Sequence, residues 1–267
     1  MHATIADRSR AVINTIEVGG RDLFVRRVGN GFPLLMINGL ALPLDRWAPL
    51  EPRLHGSELI EVDLPGSGRS AANRPPLTMW SYARMVRGLL DVLEIDAADV
   101  LGLSFGGMVA QQLALDSPSR IRKLVLASTS CGWGGVPSNL LSLSTKLYEQ
   151  ALKCTHPADD PNERWSRGDP GRTQARQATG LPFHPRAFAH QIVAASTWSS
   201  LPWLARLQHE VLVVAGTSDP LVPALNATVL TSWLANARLH LVTSGGHLCV
   251  LDRADEMGSV IERFLSG

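Results

Sequence analysis

Near residue 100 the chain reads Gly102-Leu103-Ser104-Phe105-Gly106-Gly107, and this stretch limits what the rest can become. Upstream, Asp99 to Leu103 reads as a short buried strand. Downstream, Met108 to Asp116 reads as a helix that stops at Ser117-Pro118. Strand, sharp turn and helix follow one another with a serine at the apex. A turn this tight crowds neighbouring Cβ atoms, so a side chain at Gly102 or Gly106 would clash. The serine is then expected in a strained backbone conformation, its Oγ standing above the carboxyl ends of the strands. A bare G-x-S-x-G match recurs by chance, and the flanking strand and helix add to its weight. The competing reading is a glycine-rich connection carrying a surface serine. An acid and a histidine further along, in order, separate the two.

The rest of the chain supplies an ordered set of strands and helices. Thr15 to Val18 and Leu23 to Val28 alternate apolar and polar residues around Gly19-Gly20, as a hairpin does. Leu34 to Ile37 is continuously apolar, as in a strand covered on both faces, and ends in Asn38-Gly39-Leu40. A short helix is expected over Trp47 to Leu54 and a strand over Glu58 to Val62. Met79, Tyr82, Met85, Val86, Leu89, Leu90 and Leu93 recur at helical spacing. After a strand at Lys123 to Ala127 the alternation lapses from Cys131 to Ser200, with helical pieces expected at Leu140 to Leu152 and Arg186 to Ala195. It resumes with strand Val211 to Ala215, helix Ala224 to Leu234, strand Arg238 to Val242 and helix Asp255 to Leu265. Such alternation after an antiparallel start predicts an α/β architecture: a mostly parallel sheet with helices on both faces. Ligands bind beyond the carboxyl ends of such strands, where Asn38, Ser104, Asp219 and His247 emerge.

A serine hydroxyl needs a neighbouring base to take its proton, and a base working near neutral pH favours histidine. Of eight histidines, only His247 sits in a glycine-rich loop directly after a predicted strand, Ser244-Gly245-Gly246-His247. The imidazolium formed needs a buried carboxylate. Asp219, in Gly216-Thr217-Ser218-Asp219-Pro220, follows an apolar strand, whereas Asp252 reads as a solvated charge or cap. Ser104, Asp219 and His247 are therefore the candidate catalytic residues. Negative charge on a tetrahedral intermediate requires preorganised donors. The Phe105 N–H, at the start of a helix, is one candidate oxyanion donor, and the Leu40 N–H is the other. For Asn38-Gly39 an ordinary turn competes with a role beside the substrate.

Composition narrows the class. A net charge of +1 with dispersed Lys and Arg leaves no electrostatic footprint for nucleic acid. Cys131, Cys154 and Cys249 are too few and too far apart for a disulfide framework or a C-x-x-C metal site. Met1 to Arg8 lack the apolar core of a signal peptide, and no run is long enough to span a bilayer. A soluble cytoplasmic protein with no metal, no cofactor and no transmembrane segment is expected, as a monomer or a homodimer. H-E-x-x-H is missing, and Gly66-Ser67-Gly68 lacks the ending of a phosphate loop.

Taken together, these stretches resemble the α/β-hydrolase fold over nearly the full length. The glycine-flanked Ser104, Asp63-Leu64-Pro65-Gly66-Ser67-Gly68-Arg69-Ser70, Gly216-Thr217-Ser218-Asp219 and Gly246-His247 match that family's landmarks. The resemblance implies an eight-stranded sheet, a core domain of residues 1–130 and 201–267, and a helical cap inserted over 131–200. Within the family the chain is similar to the intracellular poly(3-hydroxyalkanoate) depolymerases. Three stretches carry this: Pro33 to Leu40, Ser200 to Leu204, and Ala215 to Pro223 continuing through Ala237 to Leu241 and Gly246-His247-Leu248. Asn38 stands where most relatives have histidine, Phe105 where those depolymerases are expected to have tryptophan, and Gly245-Gly246 replace an acid-glycine pair.

The reaction so implied is serine-hydrolase cleavage of carboxylic ester bonds in a storage polyester, releasing 3-hydroxy acids. Ser104 would form an acyl-enzyme, and water activated by His247 would resolve it. A small-molecule carboxylesterase, a lactonase or a carbon–carbon bond hydrolase would use the same three residues, because specificity lies in the cap. A non-catalytic, ligand-binding member of the fold is the reading from another class. Asn38, Gly39, Trp133 and Trp198 are candidate substrate contacts. With Trp165 and Trp203, the tryptophans form either an apolar acyl channel, a surface meeting a hydrophobic granule, or packing anchors.

Overall fold

Alternation of side chains along the strands divides the apolar residues between two cores. Leu35, Ile37, Val100, Leu124, Leu126, Val211 and Val213 belong to one. Leu34, Met36, Leu101, Leu103, Val125, Ala127, Leu212 and Val214 belong to the other. A period of two sends neighbours to opposite faces, so a continuous apolar run is what a strand buried on both sides requires. The structure, a computed structural model, describes residues 11–72, 75–137 and 184–267. Among these, eight strands form one sheet: β1 (Val12–Glu17), β2 (Asp22–Gly29), β3 (Phe32–Ile37), β4 (Ser57–Val62), β5 (Ala98–Leu103), β6 (Ile121–Ala127), β7 (Glu210–Gly216) and β8 (Asn236–Val242). Their order is β1-β2-β4-β3-β5-β6-β7-β8. The pairs β1–β2 and β2–β4 are antiparallel, and every other pairing is parallel.

The first core is covered by α1 (Met79–Val92) and α2 (Phe105–Asp116). Thr78 caps α1 by accepting the Ser81 N–H, and the apolar stripe from Met79 to Leu90 is buried. The second core lies under the final helix and the segment after β3. That segment differs from the helix expected over Trp47 to Leu54: two 3₁₀ turns, Leu44–Trp47 and Glu51–Arg53, replace it. Pro49 and Pro52 lack the N–H groups that a continuous helical ladder needs. Among the described residues the remaining α-helices are α3 (Pro185–Ser196), α4 (Leu225–Trp233), the single turn α5 (Cys249–Asp252) and α6 (Ala254–Ser266). Leu140 to Leu152 and Trp165 lie outside the described residues. Among the described residues no helix is long and apolar enough to cross a membrane.

The chain leaves the sheet after β6 and returns before β7 at one junction. Gly132 and Ser199 form an antiparallel bridge, and the Ser200 N–H donates to the Cys131 carbonyl (2.9 Å). Two buried glutamines on α2 hold this junction. Gln111 Oε1 accepts from Ser200 Oγ (2.6 Å), and Gln112 Oε1 accepts from the Trp198 indole N–H (2.6 Å).

The loop after β4 is built on Asp63, which is fully buried. Its carboxylate accepts the Leu44 N–H (2.6 Å) and the Arg69 N–H (2.8 Å), so it ties the segment after β3 to the segment after β4. Gly68 (φ 51°) lies where a Cβ would overlap that carboxylate. Burial, the largest influence, pushes the Asp63 carboxyl up to about 7 from 3.8. The folded state therefore holds a proton that the unfolded state releases. This contribution to stability is complete below pH ~4 and lost as pH rises to about 7. The interval corresponds to a contribution on the order of 4 kcal/mol. Asp63→Asn should flatten the wild-type decline between pH 4 and 7, read as urea midpoints at each pH; an equal decline in both proteins would acquit Asp63.

Candidate active site

The serine turn has the geometry that its glycines permit. Ser104 adopts φ 54° and ψ −115° between the end of β5 and the first residue of α2. A non-glycine residue there is strained and persists only where its surroundings hold it. The Ser104 N–H donates to the Ala127 carbonyl (2.8 Å), and Thr129 Oγ1 donates to the Ser104 carbonyl (2.7 Å). A Cβ at Gly102 would lie 2.6 Å from Gly107 Cα, and one at Gly106 would overlap the Ile37 carbonyl oxygen. These approaches explain why α2 begins at Phe105, three residues before the expected start: the helix is drawn directly onto the strand ends.

Asp219 and His247 stand on the loops after β7 and β8, and parallel pairing sets them beside Ser104. His247 Nε2 is 3.0 Å from Ser104 Oγ, and His247 Nδ1 is 2.8 Å from Asp219 Oδ2. The other carboxylate oxygen, Oδ1, accepts the N–H groups of Leu221 (2.8 Å) and Val222 (2.9 Å). The Asp219 side chain is fully buried. A carboxylate offers only acceptor sites, so Oδ2 is a partner for a proton on His247 Nδ1, the tautomer that leaves Nε2 free to accept from the serine hydroxyl. Asp252 ends α5 with its side chain at the surface.

Gly39 packs against the serine: a Cβ there would meet Ser104 Cβ at 3.3 Å. Leu40 follows it. Among the described residues the N–H groups of Leu40 and Phe105 have no acceptor, whereas the next amide, Ala41, donates to Gln191 Oε1 (2.9 Å). The arrangement offers an acceptor for a hydroxyl proton beside two unused backbone donors.

The structure buries two of the four expected substrate contacts. Asn38 is 2% exposed, and its Nδ2 donates to the Pro43 carbonyl (2.8 Å). Its Oδ1 is buried with no hydrogen-bond partner among the described residues. Trp198 is likewise 2% exposed, in the first core with its indole N–H on Gln112, and is a packing anchor. Trp133, by contrast, is 78% exposed at the junction. Sequence reading missed Gln191 and Thr129, whose contacts lie around Ser104 and the Leu40 turn. No local signal marks them, since each is a polar residue in an ordinary helix or loop pattern. Among the described residues no three His, Cys, Asp or Glu side chains converge as a metal set.

A family model for the alpha/beta hydrolase fold matches residues 33–153. The poly(3-hydroxyalkanoate) depolymerase of Ectopseudomonas oleovorans is 33% identical over 241 residues, covering 87% of this chain and 84% of that one. The 2-hydroxymuconate semialdehyde hydrolase of Pseudomonas sp. (strain CF600) is 30% identical over 261 residues, covering 89% and 88%. A solved hydrolase from Pseudomonas aeruginosa PA01 superposes with a TM-score of 0.75 at 26% identity, covering 97% and 99%. A third of the residues are thus shared with one hydrolase along most of both chains, and the backbone follows another almost end to end. This chain belongs to the α/β-hydrolase family.

Proposed function

We propose that this chain is a serine hydrolase that cleaves carboxylic esters through an acyl-enzyme, with polyesters of 3-hydroxy acids as its substrate class. The observation that carries the reading is His247, within hydrogen-bond reach of Ser104 Oγ and Asp219 at once. His247 takes the serine proton as Oγ attacks the ester carbonyl. The Asp219 carboxylate stabilises the imidazolium. The amides of Leu40 and Phe105 receive the developing oxyanion, the latter at the positive end of α2. His247 then protonates the leaving alcohol, and a water deprotonated by the same nitrogen releases the acid. Residues 131–200 act as a cap over this site in the proposal, with Trp133 and Val193 among its exposed apolar residues.

The polyester assignment is supported by the 33% identity to the depolymerase. A soluble small-molecule substrate is the second reading, supported by the 30% identity to the semialdehyde hydrolase. Release of 3-hydroxy acids from amorphous medium-chain polyhydroxyalkanoate granules by wild type, and not by Ser104→Ala, is the expected result. Cleavage of p-nitrophenyl esters with no release from granules would move the substrate to a soluble ester or lactone. A wild type inert toward every ester would return the non-catalytic reading.

A further inference from the structure

The turn that carries Leu40 is held from outside by one buried side chain. Gln191, on α3, is fully buried and 150 residues away in sequence from Ala41. Its Oε1 accepts the Ala41 N–H at 2.9 Å, and its Nε2 donates to the Pro65 carbonyl and to Ser67 Oγ, both at 3.2 Å. One amide thus holds the Leu40 turn beside Ser104, through the residue that follows Leu40.

The turn needs such a hold. Leu42 N–H closes it onto the Gly39 carbonyl (3.2 Å), which leaves Ala41 at the third position with φ 54°. Alanine is disfavoured in that left-handed conformation, and rotation of the Leu40–Ala41 peptide would relieve it. Rotation would break the bond from the Ala41 N–H to Gln191. The helix bearing Gln191 is itself seated tightly, since Gly66 meets Ala187 where any Cβ would overlap.

We propose that Gln191 is a positioning residue for the Leu40 oxyanion donor, so that docking of α3 fixes the turn on which the Leu40 N–H depends. This rests on the serine-hydrolase reading above. Because the donors act on charge that exists only in the transition state, loss of Gln191 should lower kcat and kcat/KM together and leave KM nearly unchanged.

The test compares Gln191→Met, of similar volume but without hydrogen bonds, with Gln191→Glu, which still accepts the Ala41 N–H. With p-nitrophenyl butyrate, Gln191→Met should lose about tenfold to a hundredfold in kcat, less than deletion of a donor outright. Its Ki for butylboronic acid, which forms a tetrahedral adduct on the serine, should rise by a similar factor. Gln191→Glu should recover most of the loss, and Ser67→Ala, which removes another partner of Gln191, should stay within about twofold of wild type. If Gln191→Met does not fold, Gln191→Asn, one methylene too short to reach Ala41, takes its place. Equal losses in the Met and Glu variants, or a Met variant within about twofold of wild type in kcat, would overturn the inference. Ser104→Ala, assayed in parallel, separates the two levels. If it is inert while Gln191→Met keeps full kcat, only the positioning role falls; if it turns over like wild type, the serine-hydrolase reading falls.

Discussion

Ser104→Ala is expected to fold as the wild type does and to lose ester turnover by a factor on the order of 10⁴ to 10⁶. The size follows from what the hydroxyl does. In the proposed mechanism its oxygen is the attacking atom, and nothing else among the described residues lies 3.0 Å from His247 Nε2 to replace it. The stability change should be small, since the Ser104 backbone bonds to Ala127 and Thr129 remain and the side chain gives up only the bond to His247. Removing one partly exposed hydroxyl costs about 1 kcal/mol. The measurement pairs p-nitrophenyl butyrate turnover with a thermal melt. A variant that melts like wild type and retains a tenth of its rate would contradict the assignment of Ser104.

Asp219→Asn should cost about 10³ to 10⁴ in kcat near neutral pH, for a reason particular to its contacts. Oδ1 accepts two backbone N–H groups, from Leu221 and Val222, and Oδ2 accepts from His247 Nδ1. An asparagine has one oxygen. Turned toward the two amides, it presents its NH₂ to His247, which must then carry its proton on Nε2 and donate to the serine instead of accepting from it. Turned the other way, it sets a donor against two buried donors, which costs about 1–3 kcal/mol for each unsatisfied group. The first arrangement is favoured, and it holds the imidazole in the wrong tautomer. Stability should therefore change little while the rate collapses. Full activity in this variant would mean that the carboxylate does not set the tautomer.

Different parts of this molecule were legible in the sequence to different degrees. The β-hairpin, the buried strands and α1 follow from local periodicity, and the structure has them within a few residues of the expected bounds. The 3₁₀ turns at Leu44–Trp47 and Glu51–Arg53 were not anticipated, although the prolines that cause them stand in the sequence. Among the tryptophans, residue type was no guide. Trp133 and Trp198 come from the same stretch of irregular composition, yet one is open to solvent and the other is locked in the core by Gln112.

By itself the sequence determined the strand–serine–helix turn, the two-sided burial of the parallel strands, and the order in which a serine, an acid and a histidine leave the sheet. These depend on steric demands and periodicities that act between near neighbours. Only the tertiary structure decided that His247 reaches Ser104 and Asp219 together, because that depends on β5, β7 and β8 lying in register through β6. It also decided that Asn38 and Trp198 are buried and that Gln191 meets the Leu40 turn. A hydrogen bond between residues 150 positions apart leaves no mark on the pattern around either one. It exists because packing brings two backbones to a separation that one side chain can span.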